Sequence, residues 1–252
     1  NGSGKTTLAY SINGLIPGQY HGVKLGEVLV YGTEVEKYDK GALQQKVGMV
    51  FSDPEAQFTA MTVEDELVFG LENLGMSLQE IVERLEWVVE LTGLAPLLEK
   101  PPYELSGGQK QRVAVGAVLA MTPEVMILDE PTSMLDPISR TRVFDVLEKT
   151  KRNNNNTIIV VEHSLEKLVP LADRILLLHD GEVIMFHETQ KLFENMSLLL
   201  EKGIDPPGVL RFYYELSQAG DYSGQLPLTV DEGVELLGKL FNSAKIDHRP
   251  VQ

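Results

Sequence analysis

Two apolar runs without alternation, Val125-Met126-Ile127-Leu128 and Thr157-Ile158-Ile159-Val160-Val161, constrain this chain more than any other feature. A strand with one wet face alternates apolar and polar residues. A run that is apolar throughout is covered on both faces, as in a parallel sheet flanked by helices. Between the runs Asp136-Pro137 reads as a helix start, with Asp as N-cap and Pro at the first helical position. An apolar stripe follows through Val143, Phe144, Val146 and Leu147, and the polar run Asn153 to Asn156 returns the chain to the sheet. Strand, helix and second buried strand in this order predict an α/β fold with a mostly parallel core. Arg174 to Leu178, Asp180-Gly181 and Glu182 to Phe186 read as a hairpin, so an antiparallel part is expected as well.

Two regions depart from this alternation. Residues 58–105 read as a helical insertion. Leu78, Ile81, Val82, Leu85, Val88 and Val89 fall on one helical face, Ser77 and Glu80 form a capping box, and Gly93 ends the helix. From about residue 191 the chain is a tail of short helical segments broken by turns such as Pro206-Pro207-Gly208. With 252 residues, 43% hydrophobic and 23% charged, the chain can bury a sizeable core. Its net charge of −15 argues against a nucleic-acid partner held by a broad basic surface. The absence of cysteine removes disulfides and thiolate zinc sites, as suits a reducing compartment. The longest apolar stretch, Val113 to Met121, is far short of the ~20 residues a membrane span needs. Action at a membrane would therefore run through another chain.

Three short segments carry chemistry. Asn1-Gly2-Ser3-Gly4-Lys5-Thr6-Thr7 holds the last six positions of G-x-x-x-x-G-K-[ST] and one further Thr. Glycines let successive backbone N–H groups turn around phosphate oxygens, and the helix that follows presents its positive end. Lys5 can reach the β- and γ-phosphates, and the Thr6 hydroxyl can ligate Mg²⁺. The buried run at 125–128 ends in Asp129 and Glu130, at the carboxyl edge where open parallel sheets bind ligands. Asp129 there can hold Mg²⁺ and Glu130 can orient and deprotonate a water. Leu105-Ser106-Gly107-Gly108-Gln109 precedes a helix expected from Lys110 to Met121, a second anion-binding helix end. Taken singly, each segment also has a bland reading: a Gly-Ser turn, a solvated acidic turn, a loop.

Together and in this order they resemble the nucleotide-binding subunit of an ATP-binding cassette (ABC) transporter, over about residues 1–190. The resemblance implies a P-loop NTPase fold of ABC type: residues 1–57 and 106–190 form the nucleotide-binding core, 58–105 the helical subdomain, and 191–252 a tail that could link to a second cassette. It makes Gly2 to Thr7 the Walker A loop, Asp129 and Glu130 Walker B, and Ser106 to Gln109 the signature. Ser133 to Asp136 is then the D-loop, and His163, 34 residues after Asp129, the switch histidine. The implied cofactors are ATP and Mg²⁺. Asn1 to Thr7 and Ser106 to Gln109 bind nucleotide, Thr6 and Asp129 bind the metal, and Glu130 and His163 carry hydrolysis. The implied oligomer is a pair of cassettes, homomeric, heteromeric or fused, with each signature contacting the ATP held by the other.

Val50 to Asn73 is similar to energy-coupling factor (ECF) transporter ATPases, which energise import of vitamins or of cobalt and nickel, and Leu226 to Leu237 resembles the segment after the cassette in that branch. The implied partners are a transmembrane scaffold, whose basic coupling helices dock near Glu64, Asp65 and Glu66, and a substrate-binding membrane subunit. The chain would then sit peripherally on the cytoplasmic face of the membrane. Competing readings are a soluble ABC ATPase of translation or repair, and a degenerate binding module. Against the first stand about 100 residues without sustained heptads between Walker A and signature, and the lack of cysteine. Against the second stand Glu130 and His163.

Two departures from the family matter. At the Q-loop position stands Ser52, too short to act as a glutamine, while Gln57 lies five positions on. This predicts weaker coupling of hydrolysis to the partner. The chain also starts inside Walker A, so the first glycine of the loop, its feeding strand and an adenine-stacking aromatic are expected upstream of Asn1.

Overall fold

The computed structural model describes residues 2–20, 22–39, 41–133, 135–153 and 156–247. Asn1, Met134, Asn154 and Asn155 of the segments singled out above lie outside the described residues. The chain divides into two compact units, residues 4–163 and the part from Ser164 onward together with the first three residues.

The larger unit opens with α1 (Lys5–Ile12) and α2 (Leu15–Gly18), followed by the short antiparallel pair β1 (Leu29–Val30) and β2 (Thr33–Glu34). After α3 (Ala42–Lys46) come β3 (Val47–Val50), the helices α4 (Val63–Asn73), α5 (Leu78–Thr92) and α6 (Gly107–Ala120), β4 (Val125–Asp129), α7 (Pro137–Asn153) and β5 (Thr157–Val161). The three longer strands form a parallel sheet in the order β3-β4-β5, with Val47 opposite Val125 and Val125 opposite Thr157. Every residue of β3 and β4 is buried, as expected for the run at 125–128. β5, at the edge of the described sheet, is buried only at Val161 and exposed at Thr157, so its apolar run is covered less fully than expected. Ala9 of α1 packs with Val30, Val35, Leu43, Met49, Ile127 and Val161, so the sheet fixes the helix that opens the chain.

Local chemistry sets the helix ends. Two backbone N–H groups, of Ile138 and Ser139, donate to Asp136 Oδ1 at 3.0 Å, the N-cap expected ahead of Pro137. Four hydrogen bonds from these and neighbouring groups, that from the Ser139 hydroxyl foremost, hold the Asp136 carboxyl below the usual range. In α5 the Ser77–Glu80 capping box is formed and Gly93 closes the helix at φ 65°. Its apolar stripe is only half used. Val88 is buried, whereas Leu78 and Val82 are exposed, because α5 meets its neighbours through its C-terminal half. There the Arg112 guanidinium of α6 donates to the Thr92 and Gly93 carbonyls at 2.7 and 3.2 Å, covering acceptors the helix end leaves free.

The second unit holds α8 (Leu165–Leu168), β6 (Arg174–His179), β7 (Glu182–Glu188), α9 (Thr189–Phe193), α10 (Met196–Glu201), α11 (Gly208–Ala219) and α12 (Val230–Asp247). β6 and β7 form the expected hairpin, and Asp180 and Gly181 at its tip adopt φ 49° and 80°, the left-handed pair that a tight two-residue turn requires. The tail is more ordered than a set of short helical segments. Leu192, Phe193, Met196, Leu199 and Leu210 share a core with Val169 and Met185, and the Tyr213 hydroxyl donates to the Gly233 carbonyl at 2.5 Å, tying α11 to α12. Among the described residues no helix is long and apolar enough to cross a membrane.

Candidate active site

The carboxyl edge of β4 and the N-terminus of α1 meet. Gly4 is the N-cap of α1 at φ 90°, and Gly2 stands at φ 80°, a region that L-residues enter only at a cost. Lys5, Thr6 and Thr7 make the first turn, whose leading N–H groups have no acceptor within the helix. Thr6 Oγ1 donates to Asp129 Oδ1 at 3.2 Å across 123 positions of sequence. Asp129 is 2% exposed. Burial raises its carboxyl above the usual range, the Thr6 hydrogen bond opposes this, and the neighbouring Glu130 charge adds to it. Lys5 and His163 pull it down by smaller amounts.

A buried, destabilised carboxylate beside a hydroxyl is a donor set that a hard cation relieves. Mg²⁺ fits it: the ion commonly takes one or two protein oxygens and completes its shell with water and phosphate oxygens. Among the described residues no group of three or more His, Asp or Glu could hold a metal without such help. Thr6 and Asp129 would hold Mg²⁺, which would neutralise charge on the β- and γ-phosphates.

Next to this pair Glu130 Oε1 lies 2.8 Å from His163 Nε2, both side chains partly open to solvent. The Glu130 backbone stands at φ 49°, a strained conformation worth roughly 1–3 kcal/mol that persists only where its surroundings fix it. Its N–H donates to the Val161 carbonyl at 2.9 Å, and its carbonyl accepts from the Ser133 N–H and hydroxyl, each at 3.2 Å. The carboxylate and imidazole touch directly, so the two can face one water together, as base and as hydrogen-bond partner. Ser164, the residue before α8, makes no side-chain cap bond.

The signature segment differs from its expected outline. The helix starts at Gly107, three residues before Lys110, with Ser106 as N-cap. Ser106 Oγ accepts from Gln109 N–H at 3.4 Å, and Gln109 Oε1 accepts from Ser106 N–H at 2.9 Å. This box satisfies two backbone donors and leaves those of Gly107 and Gly108, plus the Ser106 hydroxyl proton, for an external acceptor. The two glycines are not equivalent. A Cβ on Gly108 would meet Ser139 Oγ at 2.3 Å and its Cβ at 2.4 Å, whereas a Cβ on Gly107 would find Leu135 Cδ2 at 3.9 Å.

Lys110, in the same run, is no phosphate ligand. Its ammonium is nearly buried against Glu55 Oε1 at 2.5 Å, which ties α6 to the turn after Ser52. Ser52 itself is exposed. Gln57 instead lines a groove of about 140 Å³ with Glu66, Phe69, Ala114 and Met121, and its Nε2 is buried there without a partner. Of the acidic trio, Glu64 and Asp65 are exposed, but Glu66 is turned inward, accepting from the Thr59 and Ala60 N–H groups at 2.9 and 2.8 Å. Glu66 clamps a loop, so only two of the three charges face solvent.

Residues 1–133 match the family described as ABC transporter. The chain belongs to the ABC transporter family. This ABC protein is 41% identical over 224 residues, covering 89% of its own length and 76% of the relative's, to the energy-coupling factor transporter ATP-binding protein EcfA1 of Bacillus licheniformis. It is similar in structure to cbiO1 from Clostridium perfringens, described as part of the ABC transporter complex cbiONQ, with TM-score 0.69 and 31% identity over 80% of this chain and 79% of that one. A second solved ATP-binding cassette, a dimer in a post-hydrolysis state bound to ADP and Pi, aligns with TM-score 0.63 and 27% identity over 74% of this chain and 81% of that one. The ABC fold with its parallel core and antiparallel strands is therefore established, and as a member of this family the chain is an ATP-binding cassette that hydrolyses ATP.

Proposed function

We propose that this cassette energises import of a small solute, a vitamin or a transition-metal ion, within an ECF-type transporter. The observation that carries the catalytic part is the convergence of Thr6 with Asp129 and of Glu130 with His163 at one edge of the sheet. In this reading Gly2 to Thr7, with Asn1, cradle the phosphates, and Lys5 neutralises the β- and γ-oxygens. Thr6 and Asp129 are the protein ligands of the metal. Glu130 takes a proton from water as the water oxygen bonds to the γ-phosphorus and the bond to the ADP oxygen breaks. His163 hydrogen-bonds the γ-phosphate and the same water.

Ser106, Gly107, Gly108 and Gln109 serve the nucleotide of a second cassette, by way of the donors that the capping box leaves over. ATP then joins two cassettes, and its hydrolysis weakens the joint, so differential binding drives a membrane partner's motion. The groove at Gln57 supports docking of a helix of that partner: it pairs apolar Phe69 and Met121 with an unsatisfied amide, flanked on α4 by exposed Glu64 and Asp65. The chain would act peripherally, at the cytoplasmic face, beside a scaffold and a substrate-binding subunit.

The test is steady-state ATPase of the full chain with Glu130→Gln. Loss of a general base lowers kcat by ~10²- to 10⁴-fold. A variant that retains most of its rate removes Glu130 from that role.

A further inference from the structure

Glu162 has no part in the roles assigned so far, yet its carboxylate bonds both the turn after Glu130 and the backbone of His163. Its Oε1 accepts from Thr132 N–H at 3.1 Å and from the Thr132 hydroxyl at 2.5 Å. Its Oε2 accepts from the backbone N–H of His163 at 3.1 Å. Thr132 is 1% exposed and two residues beyond Glu130, and its carbonyl accepts from Leu135 N–H at 3.2 Å. One side chain thus fastens the turn that carries Glu130 to the strand end that carries His163.

The strain at Glu130 gives this contact leverage. A residue at φ 49° holds its side chain only while the flanking backbone is pinned. One pin is the Val161 carbonyl and a second is Ser133, which lies in the turn itself and moves with it. Thr132 to Glu162 is the pin that crosses from the turn to β5 beyond Val161. Without it the turn can rotate about the Val161 contact, and the 2.8 Å separation of Glu130 Oε1 and His163 Nε2 is no longer set.

We propose that Glu162 is a positioning residue for hydrolysis, holding Glu130 and His163 in register through Thr132 and the His163 backbone. The proposal rests on the assignment of Glu130 and His163 to the hydrolytic step. It concerns the chemical step, since the Glu162 carboxylate bonds to Thr132 and to the His163 backbone, which flank the hydrolytic pair.

The experiment compares Glu162→Ala, Glu162→Gln, Thr132→Val, Thr132→Ser and the double variant Glu162→Ala/Thr132→Val in the full chain, with Glu130→Gln as reference. It measures kcat, KM for ATP, affinity for a fluorescent ATP analogue, and Tm. A small misplacement of reacting groups costs about 10²-fold. Glu162→Ala should therefore lower kcat by about 10²-fold while KM and analogue affinity stay within about two-fold. Glu162→Gln should fall between, because an amide oxygen still accepts from Thr132 while its NH₂ opposes the His163 N–H. Thr132→Ser should recover most of the rate lost in Thr132→Val, and the double variant should be no slower than Glu162→Ala, as expected of residues acting as one unit. A kcat for Glu162→Ala within about two-fold of wild type overturns the proposal, as do additive losses in the double variant or equal falls in rate and analogue affinity. If those results come with an inactive Glu130→Gln, the positioning role alone is lost. A fully active Glu130→Gln removes the hydrolytic assignment and the proposal with it.

Discussion

Replacing Gly108 by alanine should damage the fold, whereas the same change at Gly107 should spare it and still impair ATP hydrolysis. A Cβ on Gly108 lands 2.4 Å from Ser139 Cβ and 2.3 Å from its Oγ, well inside contact distance, and Ser139 sits in the first turn of α7 where Asp136 holds its N–H. The Ser139 Cβ cannot swing aside as a long side chain would, so α6 and α7 must move apart. Overpacking of this kind costs about 1–3 kcal/mol. For a chain of this size each kcal/mol moves Tm by about 2–4 °C, which puts Gly108→Ala about 2–12 °C below wild type. At Gly107 the new methyl finds its nearest neighbour at 3.9 Å, ordinary contact, so Tm should hold or rise slightly with the better helix former. Differential scanning fluorimetry of nucleotide-free protein reads the difference. Ser139→Gly removes both clashing atoms and should restore Gly108→Ala by more than it changes wild type, although glycine in α7 itself costs up to about 1 kcal/mol. A Gly108→Ala protein as stable as wild type, or a Gly107→Ala protein that melts first, would refute the packing argument. Intact ATPase in Gly107→Ala would refute the use of its N–H as a nucleotide donor.

Other expectations follow from the same geometry. Ser52→Gln should raise partner-stimulated ATPase by supplying the missing carboxamide reach, and an unchanged stimulation would count against the Q-loop reading. Asp129→Asn should raise Tm of the nucleotide-free protein at neutral pH. The Asp129 carboxyl is raised, mainly by burial, so its charged form is the destabilising one. That penalty is fully present above its folded pKa and disappears below the ordinary value of about 3.9, so the two proteins should converge as pH falls through the carboxylate range. Mg-ATP should stabilise wild type and not the variant. Equal melting temperatures at every pH would contradict this account of Asp129.

Much of the frame was legible in the sequence because its determinants are local. The unbroken apolar runs mark β4 and β5, Asp136-Pro137 marks the start of α7, Ser77 with Glu80 marks α5, and Asp180-Gly181 marks the hairpin tip. Where local signals mislead, the reason is physical. Paired glycines usually punctuate, so the start of α6 reads three residues late, although Ser106 and Gln109 carry the same box as Ser77 and Glu80. The exposed N-terminal part of the α5 stripe, Leu78 and Val82, looks like core because periodicity does not say how far the neighbouring helix extends. The pairs Lys110–Glu55, Thr132–Glu162 and Glu66 with Thr59 and Ala60 are side-chain contacts that no spacing rule fixes, two of them across 55 and 30 positions. In each, a charged side chain turns out to be a tie between segments.

The composite nature of the site is most directly tested by mixing two inactive forms of this chain, Lys5→Ala and Ser106→Arg. If each ATP is held by Lys5 of one cassette and Ser106 of the other, a mixed dimer contains one site in which both residues are intact. Mixing should therefore restore ATPase in proportion to the mixed dimers seen by native mass spectrometry. Mixed dimers as inactive as either parent would contradict the shared site.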